Sequence, residues 1–373
     1  MKAHLEIALR LWFALEMVCG PWAAAPGVAG PVPVLYCTDL FHPHDDPDDH
    51  FDLATLYALR EVEVLGIVLD QGMNGEQAKR PGTIPVAQMN GLTGRAVPVA
   101  AGLKPKLKTP DDKALEQEAE WQRGVELILK VLRESPEPVV VLSVGSVRDL
   151  VAAFNREPEL CRKKIRRIGA FIGEASNPDF VEYNVMLDPQ AYVGLMRSGL
   201  PIYWVPCFDG GAWENGGHAS FWQAKHGELL RAAPPELVQF FIYALEKEAA
   251  DPAAFLREPV HPARRKKLFA ETRNLWCTAV FAALCGQSIV KTNGEYRVQP
   301  GRGGAAAAVP ANDLFAFSAV RLAVTGGGGV RYGTGPGTRE VMRFEIRNRD
   351  TYAPGMTSAT AGVLAAFPLR ARR

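Results

Sequence analysis

The strongest constraint on the fold is a regular alternation along the chain. Short runs rich in Val, Ile and aromatic residues alternate with longer segments of helical periodicity. This alternation is typical of a mainly parallel sheet flanked by helices on both faces. Six runs are predicted to be strands: 32–39, 62–70, 97–102, 138–145, 165–173 and 201–208. The clearest predicted helices span 51–59, 116–134, 146–157, 188–199 and 236–249.

The sequence changes character after about residue 288, where Gly and Ala accumulate and VMRFEIRNRD alternates apolar and polar residues like an edge strand. The glycine runs match neither GxxxxGK[ST] nor a strand-linked GxGxxG, so they are not phosphate loops. We therefore expect one α/β domain over 31–287, with a small C-terminal β appendage, 288–373, packed on the same domain.

The overall charge excludes two classes of partner. The 42 Lys and Arg balance the 41 Asp and Glu to a net charge of +1, so no basic field attracts nucleic acid or an anionic membrane surface. Beyond the N-terminal segment, no run approaches the ~18 apolar residues that a membrane span needs. A small-molecule nucleoside or sugar ligand fits this composition, and a homo-oligomer remains open.

The first thirty residues are a separate case. Lys2 and Arg10 precede the apolar run LWFALEMVCGPWAAA, which is the pattern of a signal peptide, although Glu16 interrupts it. We expect that this segment directs export to the periplasm. The alternative is that it is a disordered leader of a cytoplasmic protein. The six cysteines show no CxxC spacing, so we expect buried thiols rather than a disulfide framework or a structural zinc site.

An acidic turn, TDLFHPHDDPDDHFD, follows the first predicted strand. Ligands of open parallel sheets bind outside the carboxyl ends of the strands, so Asp39, which ends a buried strand, points to a site. So many carboxylates repel one another unless a cation or protons offset them, and oxygen-rich sites prefer Ca²⁺ or Mg²⁺. Some of these acids also suit solvated loop positions or helix caps. The remaining acids of the turn are Asp45, Asp46, Asp48, Asp49 and Asp52.

This turn resembles the inosine-uridine preferring nucleoside hydrolases, whose first strand ends in a DxDxxxDD-like motif before an amphipathic helix. Asp39 takes the place of the second Asp, and Asp48 and Asp49 take the place of the terminal pair. Cys37 replaces the first Asp, and the turn is about four residues longer. The resemblance implies a nucleoside-hydrolase-like fold, Asp39 as catalytic base and metal ligand, Asp49 as a calcium ligand and Asp48 as a substrate contact.

A second segment, SNPDFVEYNVMLDPQAYVGLMRSGLPIYWVP at 176–206, is similar to the family's second signature and is the most specific match. By resemblance, Asn177, Glu182 and Asn184 bind the ribose hydroxyls and Tyr183 packs beside the sugar. A sugar diol needs a carboxylate acceptor and amides that both donate and accept. Asp188 is interpreted as a helix cap instead.

Three further positions come from the resemblance alone. Arg148, in VLSVGSVRDLVAAF, takes the place of a residue whose backbone carbonyl binds calcium, although its guanidinium could also occupy the pocket. Asn74, in the loop after the second strand, is a candidate substrate contact. Cys277, in NLWCTAVFAAL, stands where the family places an Asp that completes the metal sphere, and a thiol is a poor ligand for a hard cation. Asp45, Asp46 or Asp52 could replace the lost ligand.

The resulting hypothesis is a metal-dependent hydrolase that cleaves an N-ribosyl bond with metal-activated water. Trp213, Asn215 and His218 could contact the leaving base, or merely structure their Gly-rich loop. One alternative is a non-catalytic sugar- or nucleoside-binding homologue. Another is a zinc-dependent sugar deacetylase, since HPHDD and DDPDDH resemble the strand-terminal HPDD motif of those enzymes. Its zinc ligands would be His42, His44 and His50.

Overall fold

A computed structural model describes residues 30–301 and 308–371. Its centre is a nine-stranded sheet with the spatial order β12-β11-β13-β6-β5-β4-β1-β2-β3. The strands are β1 Val32–Thr38, β2 Val62–Leu69, β3 Val99–Ala101, β4 Val139–Val144, β5 Ile165–Phe171, β6 Ile202–Val205, β7 Trp222–Lys225, β8 Thr272–Leu275, β9 Ser288–Thr292, β10 Glu295–Gln299, β11 Phe315–Val324, β12 Val330–Tyr332 and β13 Arg339–Ile346.

Helices cover both faces of this sheet. They are α1 Asp48–Ala58, α2 Thr83–Thr93, α3 Arg123–Glu134, α4 Arg148–Arg156, α5 Pro158–Lys164, α6 Tyr183–Leu187, α7 Pro189–Arg197, α8 His226–Leu230, α9 Pro235–Leu245, α10 Pro252–Phe255, α11 Pro262–Ala270, α12 Thr278–Leu284 and α13 Arg349–Ala365. Within 30–301 and 308–371, no helix is both long and apolar enough to cross a membrane.

The central strands are apolar along their whole length because both faces are covered. Every residue of β1 and of β4 is buried, and the two strands pair in parallel at the middle of the sheet. The predicted mainly parallel α/β fold is confirmed, and all six predicted strands form. The helix predicted from 116 begins later, at Arg123, because the polar stretch before it is mostly exposed and forms only a short 3₁₀ turn.

The C-terminal strands extend the central sheet. β13 pairs in parallel with β6 and antiparallel with β11, and β12 forms the outer edge. The prediction that VMRFEIRNRD is an edge strand is therefore wrong, because β13 has hydrogen-bonded neighbours on both sides. Two short antiparallel pairs, β9 with β10 and β7 with β8, lie outside the main sheet. The predicted leader and most of the run GRGGAAAAVP lie outside the described residues.

Candidate functional site

The carboxyl ends of three neighbouring strands meet at one edge of the sheet. Asp39 follows β1, Asp70 follows β2 and the turn Gly145–Ser146 follows β4. The Asp70 carboxylate accepts hydrogen bonds from the Ser146 amide, at 3.1 Å, and from the Ser146 hydroxyl. Gly145 has φ +97°, and a Cβ there would lie 3.2 Å from the Asp39 carboxyl carbon. The turn therefore needs glycine to approach Asp39 this closely.

The first two turns of α1 bring three more acids to Asp39. Asp49 and Asp52 are buried, and Asp48 is half-buried like Asp39. The Thr38 hydroxyl donates to Asp49 Oδ1 at 2.8 Å, which fixes the start of α1 against the end of β1. The predicted group of Asp39, Asp48 and Asp49 thus comes together in the fold, with Asp52 as a fourth member. These four residues are called the acid cluster below.

The acid cluster holds its protons unusually tightly. Burial, reinforced by Asp70, Glu182 and Asp52, raises the pKa of Asp39 to about 7. Burial also raises the pKa of Asp52 to about 7. Burial and the neighbouring carboxylates raise the pKa values of Asp48 and Asp49 well above the usual range. A bound cation would oppose each of these shifts, because positive charge favours the ionised carboxylates.

The other two inserted acids lie on the surface. Asp45 forms an ion pair with Arg80, with 2.7 Å between Oδ2 and Nη1, and its side chain is largely exposed. Asp46 pairs with Arg273 at 3.2 Å and is also exposed. The longer turn therefore separates its acids into an outward pair held by arginines and the inward acid cluster.

Cys277 lies beside the acid cluster. Its thiol is buried and hydrogen-bonds to the Asp52 carboxylate, and burial together with Asp52 raises its pKa well above the usual range. The next residue, Thr278, donates its amide to Asp52 Oδ1 at 3.1 Å. The start of α12 thus meets α1 at this point.

The EYN segment lies at the start of α6, and Glu182 faces the acid cluster. Its carboxylate influences the pKa of Asp39, but it also caps α6 by accepting the amides of Asn184, at 2.9 Å, and Val185. Asn184 donates to the Phe171 carbonyl at 3.1 Å. Tyr183 is 48% exposed, and burial followed by Asp39 raises its pKa. Both Tyr183 and Glu182 therefore border the acids.

The other residues predicted as metal ligands or substrate contacts are Asn177, Asn74 and Arg148. Asn177 is half-buried in an Asx turn, where its Oδ1 accepts the Asp179 amide, and it lies beside Gly211. Asn74 is exposed in the turn after β2. The Arg148 guanidinium does not occupy the pocket, because it forms a buried ion pair with Asp188 and donates to nearby carbonyls. Asp188 also caps α7 by accepting the Ala191 amide, as predicted.

Residues 208–221 form an aromatic wall around Trp213. The Trp213 ring is exposed, and its centroid lies 5.4 Å from that of Phe208 and 6.1 Å from that of Trp276, the residue before Cys277. Asn215 structures the loop by accepting the Gly217 amide and donating to the Ala219 carbonyl. His218 Nδ1 lies 2.8 Å from the Asp209 carboxylate, and this hydrogen bond contributes to the low pKa of Asp209, about 2.

Sequence reasoning missed Glu174, which joins two loops of the site. Its buried carboxylate accepts the amides of Ser176 and Asn177 from one loop and of Gly210 and Gly211 from the other. Asp70 was missed as well. Asp70 ends the predicted strand 62–70 and Glu174 directly follows the predicted strand 165–173, which is the signal that also indicates Asp39.

The three histidines of the turn, His42, His44 and His50, form a buried group separate from the acid cluster. His50 lies with its ring centroid 5.8 Å from that of His44 and 6.3 Å from that of His42, which stacks on Tyr243. Burial lowers the pKa of all three, so their rings are neutral at pH 7. As the side chains stand, no three His, Cys, Asp or Glu within 30–301 and 308–371 are arranged to hold a metal ion together.

The donor chemistry of the acid cluster nevertheless fits a hard cation. Burial and repulsion between carboxylates raise the pKa values of Asp39, Asp48 and Asp49, and burial raises that of Asp52. Oxygen donors of this kind suit Ca²⁺, whereas the protonated Cys277 thiol does not. The residues that would hold the ion thus belong to the acid cluster, and the resemblance implies Asp39 and Asp49 among them.

Comparisons with known proteins agree with this architecture. The chain is 30% identical over 190 residues to the pyrimidine-specific ribonucleoside hydrolase RihA of Citrobacter koseri, covering 46% of this chain and 58% of that protein. It is 40% identical over 81 residues to RihA of an Enterobacter species, covering 21% and 26% of the two chains. The matched region therefore spans at most 58% of the length of these two relatives.

Solved structures share the fold. A plant nucleoside hydrolase, PpNRh1, superposes with a TM-score of 0.51 at 15% identity, covering 90% of this chain and 99% of that one. The type III effector XopQ, solved with adenosine diphosphate ribose, gives a TM-score of 0.50 at 15% identity, covering 90% and 95% of the two chains. The family model of the inosine-uridine preferring nucleoside hydrolases matches residues 44–321, about three quarters of the sequence. This chain belongs to the inosine-uridine preferring nucleoside hydrolase family.

Proposed function

We propose that this protein hydrolyses the N-ribosyl bond of a nucleoside with the help of a calcium ion bound at the acid cluster. The observation that carries the proposal is the position of Asp39, which follows β1 and lies within electrostatic reach of Asp48, Asp49 and Glu182. Family membership supports the reaction class, and the RihA relatives make pyrimidine nucleosides the first substrates to test.

Asp39 is the general base of the proposed reaction. Burial and the neighbouring acids raise its pKa in the absence of a cation, and a bound calcium ion would oppose that shift and keep the carboxylate ionised at neutral pH, where it can accept a proton. Asp39 takes a proton from a water molecule as that water attacks the anomeric carbon. The N-glycosidic bond breaks through an oxocarbenium-like transition state, and the electron pair of that bond leaves with the nucleobase. When bound, calcium would lower the pKa of the attacking water and orient the sugar diol.

The sugar would lie between the acid cluster and the start of α6. Glu182, Asn184 and Asn177 are proposed to bind hydroxyls, and Asp48 and Tyr183 to border the ring. Because Glu182 and Asn184 already hold backbone groups, their side chains are rigid before the ligand arrives. Preorganised groups of this kind lose little conformational entropy on binding.

The leaving base would stack against the aromatic wall. Trp213 presents an exposed ring, and Trp276 connects this wall to the acid cluster through Cys277. His218, oriented by Asp209, is within the same loop region and is proposed to donate a hydrogen bond to the departing base. A stacked pyrimidine or purine gains about 1–3 kcal/mol from such a surface.

The proposed activity is tested by incubating the full chain with uridine and inosine and measuring released reducing sugar, with calcium or with a chelator. We expect release that depends on calcium and is abolished in Asp39→Asn. The control Glu159→Gln changes an exposed acid on α5 and should behave like the wild type. The proposal fails if neither nucleoside is cleaved, or if Asp39→Asn retains the wild-type rate.

A second candidate is a nucleoside-binding homologue without turnover. Cys277 favours it, because a protonated thiol replaces a carboxylate of the family's metal sphere. Saturable binding of uridine, measured by calorimetry without any sugar release, would establish this alternative.

A further inference from the structure

The contact between α1 and α12 contains a buried carboxylate, that of Asp52. Asp52 belongs to the second turn of α1 and is fully buried. Its Oδ1 accepts the Thr278 amide at 3.1 Å, and the Cys277 thiol hydrogen-bonds to the same carboxylate. The Asp52 carboxylate therefore lies directly beside the Cys277 thiol.

The hydrogen-bonding capacity of the Asp52 carboxylate is only partly used. Its Oδ2 has no nitrogen or oxygen partner in the part of the chain that the structure describes, and the buried hydroxyls of Thr55 and Thr278 likewise lack partners. A carboxylate oxygen buried without a donor costs free energy, so such a group calls for an ion or water that it contacts.

The carboxylate of Asp52 lies within electrostatic reach of the proposed ion-binding acids. Asp52 influences the pKa of each of Asp39, Asp48 and Asp49, so all four carboxylates share one region. The two competing inserted acids, Asp45 and Asp46, are exposed and neutralised by arginines. Of the inserted acids, Asp52 alone is both buried and within this group.

We propose that Asp52 supplies the calcium-binding carboxylate that other members of the family supply from position 277, so that the ligand has moved from the start of α12 to α1. The inference rests on the proposed function, since it concerns the same ion. It explains how Cys277 can occupy this position while the number of carboxylates around the ion is maintained.

A purely structural role for Asp52 makes a different prediction. If Asp52 only ties α12 to α1, its replacement lowers the stability of the protein equally with and without calcium. If Asp52 binds the ion, the replacement reduces the stabilisation that calcium adds. Asp52→Asn separates the two roles, because the amide keeps an oxygen for the Thr278 amide but removes the charge.

The test is calorimetric titration of the full chain with calcium chloride, beside thermal unfolding with and without calcium. We expect Asp52→Asn to weaken calcium binding by about tenfold or more, and the double variant Asp52→Asn/Cys277→Asp to regain most of the lost affinity. The matched controls Asp45→Asn and Asp46→Asn should bind calcium like the wild type. Cys277→Ser provides a second variant, and it should also keep the wild-type affinity because the thiol is not a ligand.

Two outcomes would overturn the inference while leaving the proposed function intact. One is wild-type calcium affinity in Asp52→Asn, and the other is loss of affinity in Cys277→Ser. A wild-type protein that binds no calcium overturns the metal dependence of the proposed function and this inference together. Regained affinity in the double variant would support the relocation of the ligand directly.

Discussion

Arg148 and Asp188 form an ion pair inside the protein, with 2.9 Å between Nε and Oδ2 and side chains that are 1% and 0% exposed. The guanidinium also donates to the carbonyls of Leu103, Lys104 and Leu187, each at 2.9 Å. One side chain thus connects the start of α4, the loop after β3 and the junction of α6 with α7. Leu187 is the last residue of α6, the helix that begins at Tyr183 and is capped by Glu182.

Arg148→Met should lower the free energy of unfolding by about 3–5 kcal/mol, because it leaves the Asp188 carboxylate buried without its partner. Urea denaturation at pH 7 measures this difference. Arg162→Met removes an exposed pair with Glu159 on α5 and should cost less than about 1 kcal/mol. Equal losses in the two variants would contradict the structural role given to Arg148.

Asp149 should make stability depend on pH. Burial raises its pKa from the usual 3.8 to about 7, although its carboxylate accepts the Leu103 amide at 3.0 Å. Between pH 4 and 7 the folded protein holds a proton on Asp149 that the unfolded chain has released. The contribution of Asp149 to the free energy of unfolding therefore falls as the pH rises from 4 to 7, by up to about 1.4 kcal/mol for each pH unit.

The measurement compares urea unfolding of the wild type and of Asp149→Asn across this range. Asparagine cannot ionise, so the variant should gain stability relative to the wild type between pH 4 and 7. Asp111→Asn, at an exposed position, should give a curve parallel to the wild type. A constant difference between Asp149→Asn and the wild type at every pH would show that Asp149 does not carry this dependence.

Much of the site follows from the sequence because strand ends are easy to locate. Asp39 was identified by a buried strand that stops at an acid, and the structure places its carboxyl beside Gly145 at the sheet edge. Asp70 and Glu174 follow strands in the same way and were overlooked only because no motif drew attention to them. Strand ends therefore carry information on the site beyond the recognised motifs, which indicated Asp48, Asp49 and Glu182.

The orientation of individual side chains could not be predicted. Asp45, Asp46 and Asp52 have the same chemistry and lie within eight positions of one another, but the path of the turn sends two outward and one inward. Whether the Arg148 guanidinium enters the pocket depends on Asp188, forty residues away. Such choices are set by tertiary contacts that no local pattern records.

Glu182→Ala should weaken nucleoside binding by about 1–3 kcal/mol, since it removes an acceptor proposed for a sugar hydroxyl. The structure adds a second expectation, because the same carboxylate accepts the amides of Gly173 and Asn184. The variant should therefore also unfold more readily. Calorimetry with uridine measures the first effect and urea unfolding the second, with calcium affinity as the internal control. Unchanged uridine affinity would refute the sugar role while leaving the capping role in place.

Glu174→Ala tests whether the two loops of the site are positioned as one unit. The wild-type carboxylate accepts four backbone amides, two from the loop of Asn177 and two from the loop of Trp213. Without it, both loops lose their common acceptor, and we expect weaker uridine binding and a higher KM. The turnover number should fall as well, because His218 lies in the loop region of Trp213, but by less than KM rises, because the acid cluster is carried by the end of β1 and by α1. Glu174→Gln keeps one acceptor oxygen and should fall between the wild type and Glu174→Ala. A fall in turnover at unchanged KM would instead place Glu174 in the chemical step.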